Sequence, residues 1–523
     1  MADRPTVAVI GAGFSGVLTS VRLLLEPMGP RVLLIERGPR FGRGAAYSSA
    51  SPHHLLNVRA TNMSAFVEQP SHFIEWLGRT GSPDQGQAFV TRDRYGQYLQ
   101  SILRRAAGQE TGAARLVLEH DEVRTLARDG EGWRLELGVG RSLFADIVIL
   151  ALGNLPPPPQ DGVDEDVLSS PRYAADPWAW DPASAPADGD FLLLGAGLTA
   201  VDVTLSIQEA RPGARVLALS RHGLSPRPHA DSVPAAGPAD FAPSGTPARV
   251  LRQVRAAAQT DWRRVIDALR PHVHTLWRGW SLAEKQRFLR HLRPWWDVYR
   301  HRLAPPVAAR IADLRARGLF EVAAGRLRRL RADAQGVWAT WAPRGGGPPI
   351  ERRFAAVINC GGPRADLSRS GDALIQSLAD AGLARPDDCR LGLDVDARSR
   401  VIGAEGLAND ALFAIGPIAR GHLFEITSVP DIRIQAADCA SAVLNLLALR
   451  ARRVGPVADP AAGLVADLAA FLGQSVDELD VELASLKFTR RVRNAWELRG
   501  RRAALDEIAL WLEARRASGK GGP

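Results

Sequence analysis

The sequence predicts an α/β fold with two Rossmann-like units, the second inserted in a split first domain, and a small helical appendix at the C-terminus. Three observations predict it. The apolar, β-branched run TVAVI at residues 6–10 enters GAGFSG and then an apolar helical stretch from Val17 to Leu25. The pattern restarts at residue 191, where FLLL enters GAGLTA and a second apolar helical stretch. After residue 455 the character changes, and Leu464, Leu468 and Leu472 recur at helical spacing, as do Leu505, Ile508 and Leu512.

The elements follow in order. RVLLIER, ending near Glu36, completes a first strand–turn–helix–strand unit, with Pro27, Gly29 and Pro30 breaking the chain between helix and strand. Residues 37–70 read as loop, and helices are expected over 71–78 and 93–107. Strands follow in LVLEHDEVRTLARD, GWRLELGV and ADIVILALGN, and Pro156–Pro159 end that block. VLALSRHG supplies the second strand of the second unit. Residues 225–246 read as a long loop and 247–318 as helical. FEVAAGRLRRL, GVWATWAP, FAAVINCGG and LFAIGPIARG read as strands, and PDIRIQAADCASAVLNLLALR as a helix. The expected boundaries are 1–186 for the first part of the leading domain, 187–350 for the insert, 351–454 for the second part and 455–523 for the appendix. Ser475 with Glu478 forms a capping box there, and the GKGGP end is expected to be disordered.

With 523 residues, 46% hydrophobic and 24% charged, the composition is that of a globular protein of several domains. No run of eighteen apolar residues appears and the N-terminus enters a strand at once, so a cytoplasmic protein with no membrane partner is expected. Cys360, Cys389 and Cys439 form no C-x-x-C pair, which argues against a disulfide framework or a dithiol redox centre. No Cys/His cluster has ligand spacing, so no metal is expected. The net charge of +9 is carried mostly by Arg, read as scattered; a cluster between Arg252 and Arg302 is interleaved with Trp262, Trp277, Trp280, Trp295 and Trp296. Without a nucleic-acid motif, no nucleic-acid partner is expected.

The motifs sharpen the reading. In Gly11-x-Gly13-x-x-Gly16 the first glycine permits the tight turn, the second lets backbone approach a pyrophosphate, and the third allows close helix–strand packing. The helix N-terminus then offers free N–H groups to phosphate. Glu36, 20 residues after Gly16, is placed to accept from the adenosine ribose. Ser15 and Arg37 flank this site. The second turn is Gly195-x-Gly197-x-x-Ala200, with Thr199 beside it. Its strand ends in Arg221 rather than an acid, which suits a 2′-phosphate and so NADP(H); the plainer reading is that Arg221 merely ends the strand. In such tandem arrangements the first site holds FAD and the second docks NADPH, with VILALGN, including Gly153, and VINCGG as the crossings between domains.

On FGRGAAYSSASPHHLLNVRATNMSAF, SRHGLSPRPH, HLRPWWDVYRHRLAP and GPIARGHLFEITSVPDIRIQA the chain resembles a largely uncharacterised bacterial family of FAD/NAD(P)-binding flavoproteins. More distantly it resembles the two-dinucleotide-binding flavoproteins, flavin-containing and N-hydroxylating monooxygenases among them. The resemblance, over about residues 5–450, implies that Asn57, Met63 and Ser64 run beside the flavin. It also implies that Gly416 and the 425–431 segment approach the flavin ring and ribityl chain, with a helix starting near Asp431 aimed at its pyrimidine end. Plainer readings are a loop-organising amide for Asn57, core filling for Met63 and an N-cap for Asp431. His53, His54, His229 and His422 border the same region, and no residue stands out as a catalytic acid or base. The expected function is an NADPH-using flavin monooxygenase of a small substrate such as an amine. The alternatives are a reductase passing electrons to an acidic protein and a non-catalytic redox-sensing module.

Overall fold

The computed structural model describes residues 4–49, 51–81, 86–108, 115–186, 189–230, 241–259, 261–363, 366–367 and 371–454. The expected appendix, with its capping box and its C-terminal end, and the middle of the 225–246 loop lie outside these residues. The chain divides into two compact units, Met1–Leu444 and Asn445–Pro523. Of the second, only the end of a helix is described.

The first unit opens as expected. β1 (Thr6–Ile10), α1 (Phe14–Leu25) and β2 (Arg31–Ile35) form a parallel unit with Val7 opposite Val32. Helices α2 (His72–Arg79) and α3 (Arg92–Gly108) precede β3 (Leu116–Glu119), which adds in parallel to β2. β4 (Val123–Asp129), β5 (Gly132–Leu137) and β6 (Ser142–Ala145) make a separate antiparallel sheet, and β7 (Ile147–Leu150) returns beside β1. The middles of β1, β2 and β7 are buried on both faces, which is why they read as unbroken apolar runs.

The chain then builds a second sheet. It takes β8 (Tyr173–Ala174) and β9 (Phe191–Leu194), then α4 (Leu198–Ala210) and β10 (Val216–Ser220). Five helices follow: α5 (Pro247–Ala257), α6 (Trp262–Leu269), α7 (Val273–Gly279), α8 (Leu282–Arg287) and α9 (Arg293–Arg300). α10 (Pro305–Ala316) leads back to β11 (Phe320–Ala332), β12 (Val337–Pro343), β13 (Ile350–Phe354) and β14 (Ala356–Ile358). The strand order is β13-β12-β11-β10-β9-β14-β8. The first sheet is completed by β15 (Arg400–Ile402) and β16 (Ala408–Ala414), after α11 (Ala373–Asp380), in the order β15-β16-β7-β1-β2-β3. α12 (Val429–Val454) ends the described chain.

Sheet membership moves the expected boundaries. Tyr173–Ala174 pairs with β14, and β14 is the parallel neighbour of β9. The FAAVINCGG strand, read as the return to the first domain at 351, instead closes the inserted sheet. The insert therefore reaches from about 173 to 358 rather than from 187 to 350.

The reading of the arginines as scattered also changes. Residues 247–317 hold 16 Lys and Arg against 5 Asp and Glu, an excess larger than the +9 of the whole chain. The interleaved tryptophans are mostly spent on structure. Trp277 and Trp296 are buried, Trp277 Nε1 donates to the Gly421 carbonyl at 2.8 Å and Trp280 Nε1 to that of Gly245 at 2.8 Å. Trp295 alone is well exposed. α12 is long and apolar enough from Val429 to Ala451 to cross a membrane by length and composition, although no unbroken apolar run marks it in the sequence. Its Ile432, Gln435, Ala436, Cys439 and Val443 are buried at helical spacing, the pattern of a helix packed on the core by one face.

The two sheets are pinned together by polar contacts from the 48–61 loop and α3. Arg92 Nη2 meets the Asp202 carboxylate of α4 at 2.8 Å, with both side chains largely buried. His54 shares Nδ1 with Ser49 Oγ at 2.5 Å and places Nε2 2.9 Å from both the Asp202 carbonyl and Ser206 Oγ. His229 Nε2 donates to the Asn57 carbonyl at 2.9 Å, and Arg310 lies 2.8 Å from His53 Nδ1. These histidines are satisfied structural groups.

Removing one partner of a buried pair strands the other charge. Arg92→Ala should therefore lower the unfolding free energy by about 3 kcal/mol, measured by chemical denaturation; a loss within error would show the pair to be dispensable. Burial holds His229 down to about 4, below the ordinary 6.5. Its folded value lies below its unfolded one, so its contribution is complete above pH 6.5 and falls as pH drops toward 4. The slope of stability against pH across that window should flatten in His229→Gln.

Candidate dinucleotide sites and the cleft between them

The two glycine turns share one construction. Gly11 has φ +101° and donates to the Ile35 carbonyl at 2.8 Å; Gly195 has φ +118° and donates to that of Leu219 at 2.8 Å. A Cβ on Gly11 would collide with the carbonyl oxygen of Ala151, just past β7, and one on Gly195 with that of Cys360, just past β14. Gly16 is equally tight, since its Cβ would overlap the Gly11 carbonyl. The middle glycines differ. Gly197 has open space where a Cβ would stand, and Gly13 has only the Gly44 Cα at 3.6 Å.

Both turns fit a dinucleotide. α1 starts from Gly13 and α4 from Gly197 with no side-chain cap and no acid in the first turn. The first-turn N–H groups thus have no competing side chain and remain for a phosphate. The Glu36 carboxylate lies against the first turn, accepting from Ala12 N and Gly38 N, each at 2.7 Å. A carboxylate offers about four lone-pair sites, so acceptors are left for ribose hydroxyls. The 42–44 segment crosses the turn, with Gly42 N donating to the Ala12 carbonyl at 2.9 Å.

At the second turn no carboxylate among the described residues takes the place of Glu36. Arg221 is exposed, and Arg344, at the start of the β12–β13 turn, reaches the Arg221 carbonyl at 3.5 Å and touches His222 Nδ1. Burial, then Arg344 and Arg221, hold His222 below its ordinary value. Two guanidiniums and an imidazole thus stand at the end of β10. Only Arg221 was foreseen, because Arg344 arrives by topology from 123 residues away.

The remaining expected residues divide. Ser15 is buried, and its Oγ occupies the space a Cβ on Gly416 would need; Gly416 has φ +74° and donates to Gln435 Oε1 at 2.8 Å. The end of β16 therefore closes directly on the start of α1. Gly153 (φ +68°), Asn154 and Leu155 line a cleft with Pro417, Ile418 and Arg420 where β7 and β16 end. Ala200 is fully buried and Thr199 half-buried in the second turn.

Others make contacts within the protein. Arg37 pairs with Glu122 at 3.0 Å and Asp372 at 3.4 Å. Met63 is buried, with its carbonyl accepting from Tyr95 Oη at 2.9 Å. Ser64 Oγ donates to the carbonyls of Gln69 at 2.6 Å and Phe66 at 3.1 Å. Asn57 contributes its carbonyl to His229. Asp431 is the third residue of α12, not its cap. Ser428 Oγ donates to it, and Arg270 Nη2 lies 3.2 Å and His274 Nε2 3.6 Å away. Those partners outweigh burial and bring its carboxyl down to about 2.

Residues 8–155 match a protein-family model described as FAD-NAD(P)-binding, and they span the first turn through the cleft lining at Leu155. The sequence matches none of the curated proteins. Solved structures with the same fold include ornithine hydroxylase from Pseudomonas aeruginosa, with TM-score 0.59 at 15% identity over 85% of this chain and 99% of that one. L-lysine 6-monooxygenase from Pseudomonas syringae gives 0.59 at 15% over 84% and 99%. The cadaverine monooxygenase from Erwinia amylovora, bound to FAD, gives 0.58 at 13% over 84% and 94%. At such identities the likeness is one of fold.

Placing a carboxylate in each open turn separates the two sites. Gly13→Asp should yield colourless protein, since opposing like charges costs several kcal/mol, about a hundredfold in affinity or more. Gly197→Asp should keep a full complement of flavin and lose reduction by NADPH. Flavin absorbance and anaerobic bleaching check both, and loss of flavin in Gly197→Asp would reverse the assignment.

Proposed function

We propose that the chain is a FAD-dependent, NADPH-using monooxygenase of a small nucleophilic substrate such as an amine. One observation carries the reading: two uncapped glycine turns of matching build carry opposite labels, Glu36 at the first and Arg221, His222 and Arg344 at the second. The first label suits an unphosphorylated adenosine ribose and the second a 2′-phosphate. The near full-length likeness to ornithine, lysine and cadaverine oxygenases supports the class of reaction.

When bound, FAD supplies the passage of electrons from nicotinamide to oxygen. The chain supplies position. α1 and the Gly42–Gly44 crossing hold one dinucleotide, α4 and the cationic end of β10 hold the other, and the Arg92–Asp202 and His54 contacts fix the distance between them. NADPH as reductant fits a cytoplasmic location.

A dithiol reductase is disfavoured by the thiols. Cys360, Cys389 and Cys439 are unpaired, and burial pushes Cys389 up to about 11 and Cys439 up to about 12. At neutral pH they stay protonated and poor nucleophiles.

NADPH should bleach the bound flavin under anaerobic conditions, and readmitted 18O2 should leave one labelled atom in the product of a productive amine. No bleaching by NADPH or NADH would overturn the reading. Arg221→Ala and Arg344→Ala should each lower kcat/KM for NADPH about tenfold to a hundredfold, the worth of a charged hydrogen bond, and leave NADH unchanged. Equal losses for both cofactors would remove the 2′-phosphate role.

A further inference from the structure

The buried polar groups least accounted for gather where α6, α7 and α9 meet residues 420–431. Glu425 is 1% exposed and accepts from Trp296 Nε1 at 2.8 Å. Its other oxygen faces Arg300 Nε at 3.1 Å, and Arg300 is 7% exposed. Arg302 meets Asp267, and Arg270 meets Asp431 at 3.2 Å. Buried atoms left without a hydrogen-bond partner include Arg300 Nη2, Asp297 Oδ1 and Glu425 Oε2. Buried polar atoms are nearly always bonded, so such a gathering marks a place where water, an ion or a ligand completes the set.

One guanidinium of the group differs from the rest. Arg420 has no carboxylate within ion-pair distance among the described residues. Its Nε donates to the Phe424 carbonyl at 3.1 Å, and its guanidinium lies over the Phe424 ring at 5.0 Å from the centroid. Phe424 is in turn stacked on Trp277 at 4.7 Å, so the platform is rigid. Arg420 also lines the cleft with Gly153, Asn154, Leu155, Pro417 and Ile418. With Nε fixed, its two Nη groups are the fork that binds a carboxylate bidentately. The segment packed beside Arg420 is held by Asp387, whose carboxylate accepts from the backbone N–H groups of Cys389, Leu391 and Gly392 at 2.8, 2.5 and 2.7 Å. That acid is satisfied locally and does not serve as a partner for Arg420.

We propose that the cleft at the carboxyl ends of β7 and β16 is an anion site, and that the substrate oxidised there carries a carboxylate held by Arg420. The second half rests on the monooxygenase reading; the first does not. Burial, reinforced by Arg293 and opposed by the nearby acids Asp297 and Glu425, pulls the guanidinium down to about 10, which leaves it charged at neutral pH and partly stripped of water. Arg300, paired with Glu425 behind it, is a positioning residue: it holds the 420–425 segment against α9.

The test uses FAD-loaded protein and two probes of one length, pentanoate and pentylamine. Pentanoate should perturb the visible spectrum of the bound flavin to saturation and raise the melting temperature, and pentylamine should do neither. Arg420→Gln should weaken pentanoate at least about tenfold, the loss of one charged hydrogen bond. Arg420→Lys, which keeps the charge but not the fork, should bind pentanoate more weakly than Arg420 and more tightly than Arg420→Gln, and shows whether the position tolerates change. Unaltered binding in Arg420→Gln, or a response to pentylamine in place of pentanoate, would overturn the site. Anaerobic bleaching by NADPH is recorded on the same samples. Bleaching without pentanoate binding sinks the anion site alone. Pentanoate binding without bleaching sinks the oxidation step and leaves the site standing.

Discussion

The architecture depends on a close approach made twice. A strand-end carbonyl, of Ala151 in one sheet and Cys360 in the other, passes through the space where any side chain at Gly11 or Gly195 would stand. A left-handed turn with no Cβ is the only backbone that lets the second strand's carbonyl and the crossing strand's carbonyl both reach it. Any other residue would face backbone overlap and about 1–2 kcal/mol of conformational strain. The same approach brings the helix N-terminus to the sheet edge, so the packing constraint and the phosphate site are one feature seen from two sides. The repetition also explains the insert. The chain leaves the first sheet after β7 and builds β8 to β14, and each crossing strand runs beside the glycine turn of its own sheet.

Such local relations were legible because they are spaced within a few tens of residues. The apolar runs of β1, β2 and β7, the glycine spacings, Glu36 and Arg221 all follow from one strand–turn–helix–strand unit. The residues expected beside the flavin carry no such local signature. Ser64 and Met63 lie in the segment singled out by resemblance, yet their polar groups bond within the loop or to α3. A buried polar residue that organises a loop and one that faces a ligand have the same composition and the same neighbours in sequence. Arg344 and Arg420 escaped for another reason. Arg344 meets His222 across 122 residues, and Arg420 is set apart only by what its neighbours Arg300 and Arg270 are already paired with. The missed boundary at β14 is of the same kind: VINCGG reads as a buried parallel strand, and nothing local says which sheet it joins.

The placement of charge ties the insert to the first domain. The helices from 247 to 317 hold the chain's excess of arginine, but their inner face is apolar. Trp277, Phe288 and Trp296 pack with Leu391 and Phe424, which come from the first domain's second part. Carrying cations to that apolar contact costs desolvation, and the structure offsets it with paired acids at Glu425, Asp431 and Asp267. Pairs buried in this way are weak contributors to stability compared with apolar side chains of the same volume. Their retention at one seam is better explained by what they position. Glu425 and Arg300 fix the 420–425 segment, Ser428 and Asp431 fix the first turn of α12, and both segments border the cleft in which β7 and β16 end.

That arrangement divides the labour between the two sources of the site. The glycine turns bind what every protein of this build binds, and their geometry is set by backbone alone. The wall at Arg420 is set by side chains that follow β16 in the first domain, Arg420 and Phe424, with Trp277 of the helical insert stacked behind them. A backbone site is insensitive to which side chains surround it, whereas a guanidinium fixed by an aromatic platform and a carbonyl discriminates by charge and shape. Cofactor identity therefore belongs to the repeated part of the fold, and substrate identity to the segment after β16 and the inserted helices that brace it.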